Sequence, residues 1–141
     1  MFYLSALIAI IGAVMYQYFV KQVPATLNPV ISVLGVYVAV FILNLILLPL
    51  FHSEGGFVKQ IRQLNWIQLA IAVSVAFIEL GFLLMYRNGW NLSTGNLITG
   101  VVVNVVLFGL GIMVLDEKMS LINAIGAVVS IVGVALISYR P

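Results

Sequence analysis

The chain has 141 residues, 64% of them apolar and only 7% charged, where soluble domains run at roughly 45–50% apolar and about 25% charged. Six Lys and Arg against four Asp and Glu leave a net charge of +2, and these charges are scattered singly, which excludes a basic patch for nucleic acid. The absence of cysteine and the single histidine, His52, exclude a disulfide framework and thiolate metal centres, so neither cofactor nor metal is expected.

A hydrocarbon core of about 30 Å needs about 20 apolar residues of helix. Five stretches reach that length, at 2–20, 30–51, 66–86, 93–115 and 120–139. They predict an all-α integral membrane protein with five transmembrane helices, forming a single transmembrane domain over 1–141. Too few residues remain between them for a soluble domain, so function belongs within the helices.

The first span, Phe2 to Val20, lacks the positive n-region and small-residue cleavage pattern of a signal peptide and reads as a retained helix. Ser5, Ala9 and Ala13 recur on it every four residues, and Tyr16 and Gln17 add polar groups near its end. Asn28-Pro29 opens the second span as N-cap and first-turn proline, and Pro49 falls near its far end, where a lost backbone bond costs least. Asn44 is the polar group inside it. The longest loop, 52–65, carries Gly55-Gly56 followed by Phe57, Ile61 and Leu64 at helical spacing, with Lys59 and Arg62 turned elsewhere. It predicts a short interfacial helix, either a lipid-facing anchor or a gate. Trp66, Tyr86, Trp90 and Tyr139 lie near span ends, where amphipathic rings settle among headgroups.

The third span holds Glu79, in the run Val75-Ala76-Phe77-Ile78-Glu79-Leu80-Gly81-Phe82. A carboxylate at mid-membrane costs a few kcal/mol on insertion scales, so an acid kept there is a candidate proton carrier. The alternative is a structural acid, hydrogen-bonded to a neighbouring helix or paired with Arg87. On the fourth span Asn96, Gly100 and Asn104 form one polar, narrow stripe that continues through Leu107 to Gly111. Such a stripe lines a substrate path or holds helices together, and both readings stand. On the fifth span Gly126 and Ser130 make a small-xxx-small pair, with Gly133 one turn further, which points to close helix packing. No nucleophile elbow, phosphate-cradling glycine loop or helical histidine is present, so the chain is not expected to be an enzyme.

The run Tyr86-Arg87-Asn88-Gly89-Trp90-Asn91-Leu92-Ser93, a helix of about 20 residues, then Leu115-Asp116-Glu117-Lys118-Met119-Ser120 and Gly126 to Gly133 resembles the EamA-type repeat of the drug/metabolite transporter superfamily. In that repeat a tight turn carries a Glu, and the last helix carries two glycines about seven residues apart. Glu117, Gly126 and Gly133 match those places over residues 66–139. The resemblance implies a carrier of small metabolites or drugs in a bacterial or archaeal cytoplasmic membrane. Most such carriers join two five-helix repeats, and this chain supplies one. The related small multidrug-resistance proteins carry their working Glu on the first helix, which here contains no acid, so Glu79 takes no role from the resemblance. Glu117 and Ser120 are placed to cap the last helix.

The reading is a small-molecule transporter working by alternating access, with helices one to four around a path and the fifth packing against a partner. Protons would be carried at Glu79, and the path would be lined from Asn104, Asn96, Tyr16, Gln17 and Asn44. Rival readings are a subunit of a lipid-linked sugar flippase and a non-transporting membrane assembly factor. An odd number of helices puts the two chain ends on opposite sides, and one repeat supplies half of an inverted pair. Lys59, Arg62 and Lys118 on one side balance Lys21, Arg87 and Arg140 on the other, so no excess of positive charge fixes orientation. The expected partners are therefore the lipid bilayer, a small-molecule substrate and a second, antiparallel copy of the chain.

Overall fold

The computed structural model describes residues 2–51, 56–116, 118 and 120–138. The described residues form α1 (Phe2–Gln22), α2 (Pro29–Leu47), α3 (Phe57–Ile61), α4 (Trp66–Arg87), α5 (Leu92–Leu115) and α6 (Leu121–Ser138), with a 3-10 turn over Leu48–Leu50. Four helical stretches are long and apolar enough to cross a membrane: Tyr3–Gln22, Pro29–Leu50, Trp66–Arg87 and Leu92–Val114. They mark the chain as an integral membrane protein. The fifth expected span is shorter than the others. The 18 residues of α6 rise about 27 Å, a little under a hydrocarbon core of about 30 Å.

Local chemistry sets the helix ends. α1 runs past the expected end at Val20 because Lys21 and Gln22 are good helix formers, and the chain breaks only ahead of Pro24. Asn28 caps α2: its side-chain oxygen accepts from the N–H of Val30 at 2.9 Å and of Ile31 at 3.4 Å, and Pro29 fills the first helical position. The second span was expected to run as helix to residue 51, but regular helix stops at Leu47. Pro49 has no N–H for the ladder and its ring crowds the preceding turn, so the chain tightens into the 3-10 turn.

The short helix expected in the long loop is present as the single turn α3. Gly56, at φ 82°, supplies the left-handed backbone that leads into it. His52 and Gly55 lie outside the described residues. α4 begins with a capping box that sequence reading did not single out. Asn65 accepts from the Ile67 N–H at 2.8 Å, and Gln68 returns an acceptor to the Asn65 N–H at 2.9 Å. Asp116 closes α5 in the left-handed region at φ 51° and donates its N–H to the Gly111 carbonyl. Ser120 caps α6 as expected, its hydroxyl accepting from Ile122 at 3.2 Å. Glu117, Tyr139 and Arg140 lie outside the described residues.

Two compact units divide the chain, one formed by α1 up to Tyr18 with α5 and α6, the other by Phe19–Asn88. In the first, α5 packs on α6, and in the second, α2 packs on α4. The buried apolar side chains among the described residues are Val33 of α2 and Leu83 and Tyr86 of α4, all in the second unit. In both units other large apolar side chains point outward, Phe41, Phe77 and Ile122 being 65%, 73% and 77% exposed. In water such a surface would be untenable, whereas lipid tails solvate it without cost.

Candidate functional site

In the unit built from α1, α5 and α6, a cavity of about 380 Å3 lies between α1 and α5. That volume falls in the range of small-molecule pockets, roughly 300–1,000 Å3. Tyr16 and Gln17 of α1 and Ser93 and Asn96 of α5 line it beside Ala13, Val14 and Leu92. Three of the residues singled out from sequence, Tyr16, Gln17 and Asn96, therefore come together at one place. Ser93 joins them although only its place in a motif had drawn notice. Helical geometry explains the grouping: Tyr16 and Gln17 sit near the end of their helix, Ser93 and Asn96 occupy the first turns of α5, and Ser93 and Asn96 are three apart on one face. A phenol, two carboxamides and a hydroxyl offer donors and acceptors without fixed charge, which suits a neutral or singly charged polar ligand.

Asn104 lies two turns further along the same stripe and lines a separate cleft of about 140 Å3, where α5 meets α6 and where Ser130 also faces. The Ser130 hydroxyl donates to the Gly126 carbonyl of its own helix at 2.9 Å. Thr99 does the same on α5, donating to the Gly95 carbonyl at 2.9 Å and to that of Asn96 at 3.2 Å. These hydroxyls are satisfied within their helices, the usual solution where no water is at hand. A Cβ added at Gly126 or at Gly133 would meet nothing within 4 Å. The close approach expected of those glycines is therefore not made within the described chain.

The unit Phe19–Asn88 holds Glu79 and Asn44. Glu79 is half-buried on α4 and lies within electrostatic range of Tyr37 on α2. The Tyr37 hydroxyl is shielded from solvent and has no hydrogen-bond partner among the described residues. Sequence reading missed Tyr37, because a lone tyrosine in an apolar run carries no local signal and the pairing exists only once α2 packs on α4. Asn44 donates its amide to the Val40 carbonyl at 2.8 Å, one turn back on its own helix.

The alternative that pairs Glu79 with Arg87 does not describe the guanidinium. Arg87 turns its Nη2 to the loop between α1 and α2, donating to the Pro24 carbonyl at 3.1 Å and to the Leu27 carbonyl. Eight residues of helix separate Glu79 from Arg87, about 12 Å of rise, so the loop carbonyls are the nearer partners for an arginine at the helix end. Tyr86, expected near a span end, is turned inward among its neighbours there. It is 7% exposed, stacked on Phe82 with ring centroids 6.1 Å apart, and Lys21 stands over its face with Nζ 5.4 Å from the centroid. The cation and the neighbouring ring together hold this phenol inside the protein. Trp66, 75% exposed at the start of α4, does face outward as an interfacial ring should.

The chain matches no family model, no curated protein and no solved structure in any of these three comparisons.

Proposed function

We propose that the chain is a membrane transporter of small molecules that works by alternating access, with Glu79 as the proton carrier. The observation that carries this reading is the acid itself. Glu79 sits on a helix long and apolar enough to span, half-buried against a helix that brings it a phenol, in a chain with few charges of any kind. An acid kept at that depth marks an ion or substrate route by default. The cavity lined by Tyr16, Gln17, Ser93 and Asn96 supplies a second support, a polar recess on otherwise lipid-compatible helices. The motif resemblance to the EamA-type repeat of drug/metabolite transporters agrees with both.

The same reading makes the working unit an antiparallel homodimer in a bacterial or archaeal cytoplasmic membrane. A single repeat supplies one half of an inverted pair, and the uncovered Gly126 and Gly133 leave α6 a narrow surface on which a second helix can seat closely. The balanced Lys and Arg let copies insert both ways. α6, a little short for the bilayer, reaches across by local thinning or by packing on that partner.

The test is transport by the purified chain in liposomes. A panel of metabolites and cationic or neutral amphiphiles is applied across an imposed pH gradient. Flux that rises with the gradient is expected. Absence of gradient-driven flux for the whole panel, from protein shown to be folded and dimeric, would leave the assembly-factor reading in its place. C-terminal tags should report both sides of the membrane in roughly equal amounts, and a C-terminus on one side in every molecule removes the antiparallel arrangement.

A further inference from the structure

A third cavity, of about 180 Å3, lies between the end of α1 and the end of α4. Lys21, Tyr86 and Arg87 line it together with the aliphatic Val20, Val23 and Leu83, and none of its lining residues is acidic. Two formal positive charges therefore share one small space at the mouth of an apolar protein. Arg87 is anchored there by its Nη2, which is committed to the carbonyls of Pro24 and Leu27. Its Nε is shielded from solvent and has no hydrogen-bond partner among the described residues. A guanidinium so fixed is pre-organised, and its remaining buried donor is costly to leave unmet. Lys21, held over the Tyr86 ring, brings the second charge to the same wall.

We propose that this cavity binds a phosphate monoester. A carboxylate brings one charge and two oxygens in a plane. A phosphate monoester brings about −1.5 to −2 and three acceptor oxygens set tetrahedrally, which matches two cations on one wall. At about 30 Å3 for each water it would displace, the space takes the phosphate with part of its hydration, while the aliphatic wall faces whatever chain or ring the ester carries. Both lysine and arginine sit in the last turn of a spanning helix, at the depth of lipid headgroups. The phosphate can thus arrive on a lipid or on a soluble ester. The site stands independently of Glu79 and of transport.

The experiment uses the full chain purified in a phosphate-free glycoside detergent. Phosphatidic acid binding is measured by native mass spectrometry, glycerol phosphate binding by calorimetry, and palmitate serves as the carboxylate control. Phosphatidic acid should bind more tightly than palmitate, and Lys21→Gln should weaken it by about tenfold, the effect of removing one charge-assisted contact. Because Arg87 also ties down a loop, its variant is the charge-keeping Arg87→Lys, which removes the planar fork of donors and should weaken binding in protein whose thermal unfolding remains cooperative. Glycerol phosphate bound with the same dependence on Lys21 shows that the headgroup alone suffices. Phosphatidic acid bound without glycerol phosphate assigns the site to lipid. Palmitate bound as tightly as phosphatidic acid, no binding of either phosphate, or affinities within about twofold of wild type in both variants would overturn the proposal.

Discussion

Both units of this chain satisfy some polar side chains within their own helices, Asn44 and Ser74 in one and Thr99 and Ser130 in the other, and they are compared best by the polar groups that remain. In Phe19–Asn88 polar contacts cross between elements: Arg87 of α4 holds the loop carbonyls of Pro24 and Leu27, and Lys21 of α1 stands over the ring of Tyr86 of α4. The buried apolar side chains Val33, Leu83 and Tyr86 belong to the same unit. In the unit of α1, α5 and α6 the hydroxyls of Thr99 and Ser130 turn back on their own helices, and Gln17 and Asn96 line a cavity. Polar contacts between elements close a unit, while polar groups around a cavity leave it ready for a ligand. On this view the Phe19–Asn88 unit is held by its charges, and the unit of α1, α5 and α6 is where the proposed substrate would sit.

The comparison is broken most easily at Arg87. Replacing it by Ala removes two charge-assisted bonds to backbone carbonyls, and Arg87→Ala should cost about 2–4 kcal/mol, read as an early loss of cooperative unfolding in detergent. A change below about 0.5 kcal/mol would mean that the loop is held by something else. Next in size is the contrast between two asparagines. Asn96→Leu should lower substrate flux about tenfold, one good polar contact's worth. Asn44→Leu should leave flux within about twofold, because that amide is spent on Val40. Equal losses at both positions would remove the distinction between a lining amide and a satisfied one. The smallest effect is expected at the α4 capping box, where Asn65→Ala should cost about 1 kcal/mol of stability with flux unchanged.

Much of this architecture can be read from the amino-acid order, because membrane spans announce themselves by length and hydropathy and helix starts by their caps. Asn28-Pro29 and Ser120 do in the structure what their positions predict. The end of α2 was misplaced because hydropathy continues through Leu50 while the hydrogen-bond ladder does not, and only the backbone effect of Pro49 separates the two. The cavity of Tyr16, Gln17 and Asn96 was legible as a set of polar residues, though not as one place, since nothing local says which faces of α1 and α5 meet. Tyr37 and the Lys21, Tyr86 and Arg87 cluster were not legible at all. Each depends on residues far apart in sequence, and an arginine at a helix end can equally well turn to a loop, to lipid or to an acid on its own helix.

The most direct test of Glu79 as proton carrier is proton release on substrate addition, measured by a pH indicator with detergent-solubilised wild-type chain and with Glu79→Gln. The amide keeps the shape of the side chain and removes its titration. The wild type should release protons in proportion to substrate bound, and Glu79→Gln should bind substrate, remain folded and release none. Undiminished release from Glu79→Gln would contradict the account and leave Glu79 as a structural acid.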